Sequence, residues 1–316
     1  MPRLLQLAAP IACAALILAA FGFVRPAAAQ ELDSSPKFTP EPDQTPLAPS
    51  QVRELVKRAI DNQHRDDAAL DCFERIERHI ERSGGSGDRV TEDKTYRVVP
   101  TGSGNIKLLV KDADAPVSAA EYRRELTAWQ TILSVAVHPN DPRQLAGVAK
   151  QQKKLKDRAR LVDSALEAYS MSWLGREIID GRTLEKLRFE PNPEYVLQGN
   201  SSDWLVHARA TVWIDAQEGE VVRIEAEIIR DISIGAGILG KVYKGGRFVL
   251  EQAEVSPGVW EPTLYEYDLA GRKFLFPFKM HEVTQDSHYR YLGTPAEALA
   301  VARKNLSSGG GFVSDP

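Results

Sequence analysis

Apolar and polar residues alternate with a period of two through much of the chain's second half, most regularly from Leu205 to Arg230. Ala208, Ala210, Val212 and Ile214 alternate with His207, Arg209, Thr211 and Trp213. After a short polar break, Val222, Ile224, Ala226 and Ile228 alternate with Arg223, Glu225 and Glu227. Such alternation marks a strand with one buried face. The break, AQEGE, is polar with one glycine and suits a tight antiparallel return. The pattern predicts a long amphipathic hairpin with Val212, Ile214, Val222, Ile224 and Ile228 pointing inward. Its apolar face has to be covered by other parts of the chain.

More strands and a few helices surround that hairpin. A helix opening at Ser50 carries Val52, Leu55, Val56 and Ile60 on one stripe and suits a cap over an open sheet. Polar strands over 70–82 and 89–100, joined by SGGSGD, precede a third from Asn105 to Lys111. Ser118 and Glu121 form a capping box, opening a helix with Tyr122, Leu126, Trp129 and Leu133 at helical spacing, which Pro139 and Pro142 break. A second helix is expected from Leu145 to Tyr169, and the pair reads as a helical insertion over 118–169. Strands follow at Ser170–Ile179, Leu184–Glu190, the central hairpin, Gly246–Val255 and Val259–Leu269. One or two closing strands lie within Lys273–Tyr291, where Phe274, Phe276, Phe278 and Met280 share a parity. About nine strands interrupted by two helices point to a mainly β, α+β antiparallel sheet and away from a βαβ pattern.

The ends change the picture. Arg3 precedes an apolar run from Leu4 to Val24, Arg25 and Pro26 interrupt it, and Ala27-Ala28-Ala29 follows. This is the pattern of a secretory signal peptide cut after Ala29, which places the mature chain in the periplasm. Residues 30–49, with five prolines, read as a linker. Residues 50–302 then form a single domain, and 303–316 a disordered tail. Removal of the signal leaves Cys72 as the single cysteine, so no intrachain disulfide is expected. It also leaves 38 basic against 44 acidic residues, a balance that argues against binding nucleic acid by charge alone. Lys150, Lys153, Lys154, Lys156, Arg158 and Arg160 crowd the second helix without an interleaved aromatic and read as a solvated face. Any membrane contact is expected to be peripheral.

Candidate chemistry is sparse. The six histidines form neither HExxH nor a zinc spacing with cysteine. His281 and His288 bracket Glu282 and Asp286, but adjacent residues of a strand point to opposite faces. No GxSxG or GxxxxGK[ST] occurs. No catalytic residue, metal or cofactor is therefore expected, and the chain reads as non-enzymatic. The segment ISIGAGILG, Ile232–Gly240, is apolar and uncharged and reads either as a core plug or as a flap at a cavity mouth.

Four stretches between Asp180 and Tyr291 carry a family resemblance: DGRTLEKLRFEPNP, ARATVWIDAQEGEVVRIEAEI, KGGRFVLEQAEVSPGVWEPTLYEYDLAG and SHYRYL. They resemble the LolA-like superfamily of outer-membrane lipoprotein-sorting proteins, whose W-I-D hairpin pattern matches Val212 to Ile224. The chain is also similar to a secreted acidobacterial branch of that group, which carries the resemblance back to about Ser50. The resemblance implies an unclosed antiparallel β-barrel wrapped around a helical lid, with a hollow that takes acyl chains or a peptide. The expected function is then a periplasmic carrier or binding protein for an apolar ligand, a lipid or an acylated lipoprotein. The alternative is a cell-envelope sensor or scaffold that docks a partner protein through the same half-barrel. The expected lining is Val212, Ile214, Ile224, Leu264, Phe276 and Phe278, with Ile234 and Ile238 at the mouth. N-terminal sequencing of exported protein is expected to begin at Gln30; an intact Met1 would contradict the signal assignment.

Overall fold

The computed structural model describes residues 43–83, 89–196, 203–234 and 239–307; the expected signal peptide and most of the linker lie outside them. Helix α1 (Pro49–Ala69) leads through a 3-10 turn at Leu70–Cys72 into β1 (Phe73–Ser83), β2 (Val90–Pro100), β3 (Asn105–Asp112) and β4 (Ala115–Pro116). Helices α2 (Ala119–Ala136), α3 (Pro142–Asp163) and α4 (Ala165–Ala168) follow, then β5 (Tyr169–Ile179) and β6 (Arg182–Pro191). A short α5 (Asp203–His207) opens the central hairpin β7 (Ala208–Asp215) and β8 (Val221–Ile228). The chain ends through β9 (Ile232–Ile234), β10 (Gly240–Val242), β11 (Arg247–Ser256), β12 (Val259–Lys273), β13 (Phe276–Tyr291) and α6 (Pro295–Ser307).

All of these strands join one sheet, in the order β4-β3-β2-β1-β13-β12-β11-β8-β7-β6-β5, with β10 on β12 and β9 on β10. The two edges, β4 and β5, do not pair, so the sheet is not closed into a barrel. Each edge is blunted. Strand β4 is two residues long and ends in Pro116, which donates no backbone hydrogen bond. At β5 the Gln44 side chain donates to Arg176 O at 2.8 Å and accepts from Arg176 N at 3.0 Å, occupying backbone groups that another strand would use. Helices α2 and α3 connect the edges in sequence. The result is an α+β fold in which a large unclosed antiparallel sheet wraps around helices.

Local sequence explains the main elements. Ser118 Oγ accepts from Glu121 N at 3.2 Å and starts α2; Asp141 Oδ1 accepts from Arg143 N at 2.8 Å and starts α3. On α1 the expected stripe, Val52, Leu55, Val56 and Ile60, is buried together with Ala59. On α2 Tyr122, Leu126, Trp129 and Leu133 are buried against Val99, Leu108 and Val110 of β2 and β3 and Ala298, Leu299 and Ala302 of α6. Arg97 lies over the Trp129 ring at 5.7 Å and donates to Glu74 at 2.6 Å, so its charge is compensated where it is buried.

The W-I-D triplet in β7 has three distinct tasks. Ile214 is buried in the interior. Trp213, on the opposite face, donates to Glu177 at 2.9 Å beneath Lys186 and Arg223. Asp215 accepts from Gln217 N and Glu218 N, both at 2.8 Å, and so shapes the return turn. Gly219 closes that turn at φ 77°, and a side chain there would collide with Arg58 of α1. Arg58 and Asn62 in turn donate to Ala216 O and Glu218 O, both at 3.1 Å, docking the hairpin end against α1.

Several expectations change. A bulge at the hairpin sets Ile214 opposite Val221 and Trp213 opposite Arg223, so Val222 becomes the extra residue. Val221 consequently packs with the interior cluster in place of the expected Val222. The second insertion helix stops at Asp163, and Tyr169 belongs to strand β5. Strands β4, β9 and β10 are too short to register as a period. Helix α6, absent from the alternation reading, runs to Ser307 and crosses the expected start of the tail. Because Leu126 is wholly buried between α2, α6 and the sheet, Leu126→Ala should cost about 2–5 kcal/mol in urea unfolding; a loss below about 1 kcal/mol would show that α2 is not part of the cooperative core.

Candidate functional site

A cavity of about 110 Å³ lies between helices α1, α3 and α4 and the sheet face of β5–β8. The helices contribute Val56, Ala59, Ile60, Leu161, Val162 and Ala165; the strands contribute Tyr169, Phe189, Ala210, Val212, Ile214, Val221 and Ile224. Gln63 and Arg158 are the polar side chains at its wall. The wall is otherwise apolar, so it offers few hydrogen-bond partners to anything inside. Tyr169 bears on its chemistry. The ring stacks edge-on against Phe189 at 5.7 Å, and its buried hydroxyl has no hydrogen-bond partner among the described residues. Burial alone pushes the Tyr169 phenol above its ordinary value. An unpaired hydroxyl in such surroundings costs about 1–3 kcal/mol.

The helical wall is held from its polar side. Arg53 donates to Leu166 O at 3.2 Å, His64 contacts Asp163 at 2.7 Å, and Arg158 pairs with Asp67. These contacts tie α1 to α3 and α4 along their rim, while Arg58, Asn62 and Arg65 bond α1 to the hairpin end and apolar contacts hold the helices over the cavity. The basic run of α3 behaves as the sequence suggests, with Lys150, Lys153, Lys154, Lys156 and Arg160 exposed. Arg158 alone of that run turns inward.

The expected lining divides into groups. Val212, Ile214 and Ile224 converge on the cavity from facing positions of β7 and β8. Leu264 lies on β12 outside the cavity wall. Phe278 packs with Met280, Tyr267 and Leu250 in a neighbouring apolar cluster. Phe276 stands exposed at the start of β13. Ile234 pairs with Gly240 in the small β9–β10 ladder away from the wall. Ile238, with the central part of the proposed flap, lies outside the described residues. The helical half of the wall was not assigned from sequence, although the Val56–Ile60 stripe and the apolar pair Leu161-Val162 signal it.

Beyond the cavity, α1 ends over a buried ionic cluster. Arg65 donates to Glu220 at 2.5 Å and to Asp66 at 3.1 Å. Arg75 contacts Asp286 at 3.2 Å, and Lys107 pairs with Glu77. Burial pushes the Glu220 carboxyl up to about 7 and that of Asp286 up to about 6. Glu261 is the extreme: burial, then Asp66 and Asp67, outweigh Arg75 and Arg158 and push its carboxyl up to about 9. Its Oε1 has no hydrogen-bond partner among the described residues. His281, considered above for a metal, pairs instead with Glu266 at 2.7 Å, while Glu282 of the opposite face contacts His79 at 3.5 Å. Among the described residues no three histidine, cysteine or carboxylate side chains are grouped as a metal site.

No family model matches the chain, and no curated protein matches its sequence. Solved structures do resemble it. A DUF1329 family protein from Desulfovibrio piger is 12% identical, covers 76% of this chain and 92% of its own, and superposes with a TM-score of 0.28. A LolA superfamily protein from Nitrosomonas europaea is 12% identical, with 78% and 96% covered and a TM-score of 0.29. MucB in complex with MucA is 9% identical, with 78% and 97% covered and a TM-score of 0.21. One of these three is itself a LolA superfamily protein. At such TM-scores ligand and partner have to be argued from the cavity itself.

The raised Glu261 carboxyl has a measurable consequence. Between its ordinary 4.5 and about 9 the folded chain keeps a proton that the unfolded chain releases, so this group makes stability fall as pH rises through that window. Glu261→Gln should therefore raise stability at pH 8 by about 1–3 kcal/mol and flatten the decline between pH 7 and 9. Parallel declines for variant and parent, measured by denaturant unfolding, would contradict a protonated Glu261.

Proposed function

We propose that this protein is a non-enzymatic binding or carrier protein for an apolar ligand, a lipid or the acyl part of a lipoprotein, acting in the periplasm. The observation that carries this reading is the cavity under α1 and α3, walled almost wholly by aliphatic and aromatic groups. Each methylene moved from water into such a site contributes about 0.8 kcal/mol, so affinity needs no charged partner. The expected lining residues Val212, Ile214 and Ile224 are assigned to the ligand here, joined by Tyr169, Ala210, Val56 and Ile60.

Size sets the mechanism. A cavity of about 150 Å³ takes a molecule the size of benzene, and this one is smaller. A long acyl chain therefore enters by displacing α1 and α3 from the sheet, exchanging helix–sheet contacts for ligand contacts of the same apolar kind. Release is the reverse, with the helices refilling the space. The rim contacts of Arg53, His64 and Asp67 allow the two helices to move as one body.

Native mass spectrometry of gently purified protein should show a co-purifying lipid, and a fluorescent fatty acid should bind with affinity that rises with chain length. Ala210→Leu and Ala165→Leu, which fill the cavity from opposite walls, should each reduce that binding at least about tenfold while costing about 1–3 kcal/mol in stability. Tyr169→Phe should stabilise the empty protein by about 1 kcal/mol, because it removes an unsatisfied buried hydroxyl. Empty protein that takes up neither fatty acid nor lipopeptide would overturn the carrier reading and favour the docking scaffold.

A further inference from the structure

The β12–β13 hairpin ends in an apolar tip that the cavity does not use. Its strands are the longest of the sheet, at 15 and 16 residues. Pairing with β1 stops at Ser83 and Met280, and pairing with β11 begins at Arg247 and Asp268. The hairpin continues past both neighbours, supported there by β10, whose Gly240 pairs with Lys273. At the turn stand three consecutive large apolar residues: Phe274 is 51% exposed, Leu275 87% and Phe276 76%. Leu239 and Tyr243 extend the patch, since Phe274 N donates to Leu239 O at 3.0 Å and Tyr243 N to Ala270 O at 2.8 Å.

Two observations indicate what meets this tip. The first is charge. Lys273 and Lys279 flank it on its own strands, and Lys241 lies beside it on β10. Neither 232–250 nor 269–281 contains an acidic residue, and Asp231, at their margin, is paired with Lys241 at 2.7 Å. The second is backbone conformation. Phe274 adopts φ 54°, in a turn position where glycine or asparagine is the low-energy choice. Phe274 is held at this strained position with half its surface exposed, and strain together with exposure points to a role outside the fold.

We propose that this tip is a membrane-contact surface that inserts Phe274, Leu275 and Phe276 into the interface of an anionic bilayer, with the surrounding lysines on the phosphates. Apolar groups flanked by Lys and Arg bind lipid interfaces by adding burial to attraction for anionic headgroups. A protein partner with an apolar pocket would not require a basic ring; an anionic leaflet does. The contact is peripheral, reversible and independent of the cavity.

Co-sedimentation of the mature chain with vesicles separates the outcomes. Vesicles of phosphatidylglycerol and phosphatidylethanolamine should pull the protein down at low salt, and vesicles of phosphatidylcholine alone should do so far more weakly. Leu275→Asp with Phe276→Asp should weaken partitioning at least about tenfold without lowering the melting temperature, because both side chains are exposed. Lys273→Glu with Lys279→Glu should weaken it and reduce its salt dependence. The cavity-filled Ala210→Leu variant should still bind vesicles, which distinguishes failure of this proposal from failure of the carrier reading. Equal binding by the tip variant and the parent would overturn the proposal. So would absence of vesicle binding by a parent whose dimer the tip variant abolishes, since the tip would then be a self-association surface.

Discussion

An open sheet with one apolar face has to be covered, and most of this molecule follows from how that is done. The sheet cannot close, because β4 is a two-residue stub ending in proline and β5 carries the Gln44 side chain on its edge. The chain between those edges is therefore spent on α2 and α3, and α1 is laid across β5 and β7 before the sheet begins. Where helices meet a sheet through aliphatic contacts, another aliphatic surface can replace them at small net cost. A barrel closed by hydrogen bonds could not open that way.

Polar groups fix what the apolar contacts leave free. The turn at Asp215–Gly219 receives Arg58 and Asn62 from α1, and Arg65 reaches Glu220 just beyond it. These bonds locate one side of α1 while the other side floats over Val212 and Ile214. The buried cluster of Arg75, Asp286, Glu77 and Glu261 is harder to justify as a source of stability, since desolvating so many charges costs more than their pairing returns. Burial raises the carboxyls of Asp286 and Glu261, and Glu261 responds by holding its proton. The cluster sits beside β12, whose far end carries the exposed apolar tip, so the two ends of one strand pair serve opposite environments.

How much of this was legible depends on which physical signal each residue carries. Period two placed Val212, Ile214 and Ile224 on one face, and neighbouring strands in register brought them together. It misplaced Val222, because a bulge shifts parity without leaving a mark in hydrophobicity. Phe274, Phe276 and Phe278 share a parity as surely as Val212 and Ile214 do, yet a turn at Phe274 and Leu275 separates them into exposed and packed residues. Parity identifies a face; it does not say what lies across from it. For the same reason α1 showed an apolar stripe, but nothing in that stripe names β7 as its partner. Tyr169 was read as the last turn of a helix and is the first residue of a strand, a boundary shift of one short element that puts its side chain in the cavity wall.

The central claim is that an acyl chain lies between α1, α3 and the β7–β8 face. Methyl-labelled protein bound to a deuterium-edited long-chain fatty acid tests it most directly by nuclear Overhauser contacts. The account predicts contacts from the chain's methylenes to the methyls of Val56, Val212, Ile214 and Ile224, with those of α1 shifting on binding. Contacts confined to Leu275 and Leu239 at the hairpin tip, with the cavity methyls unmoved, would contradict it.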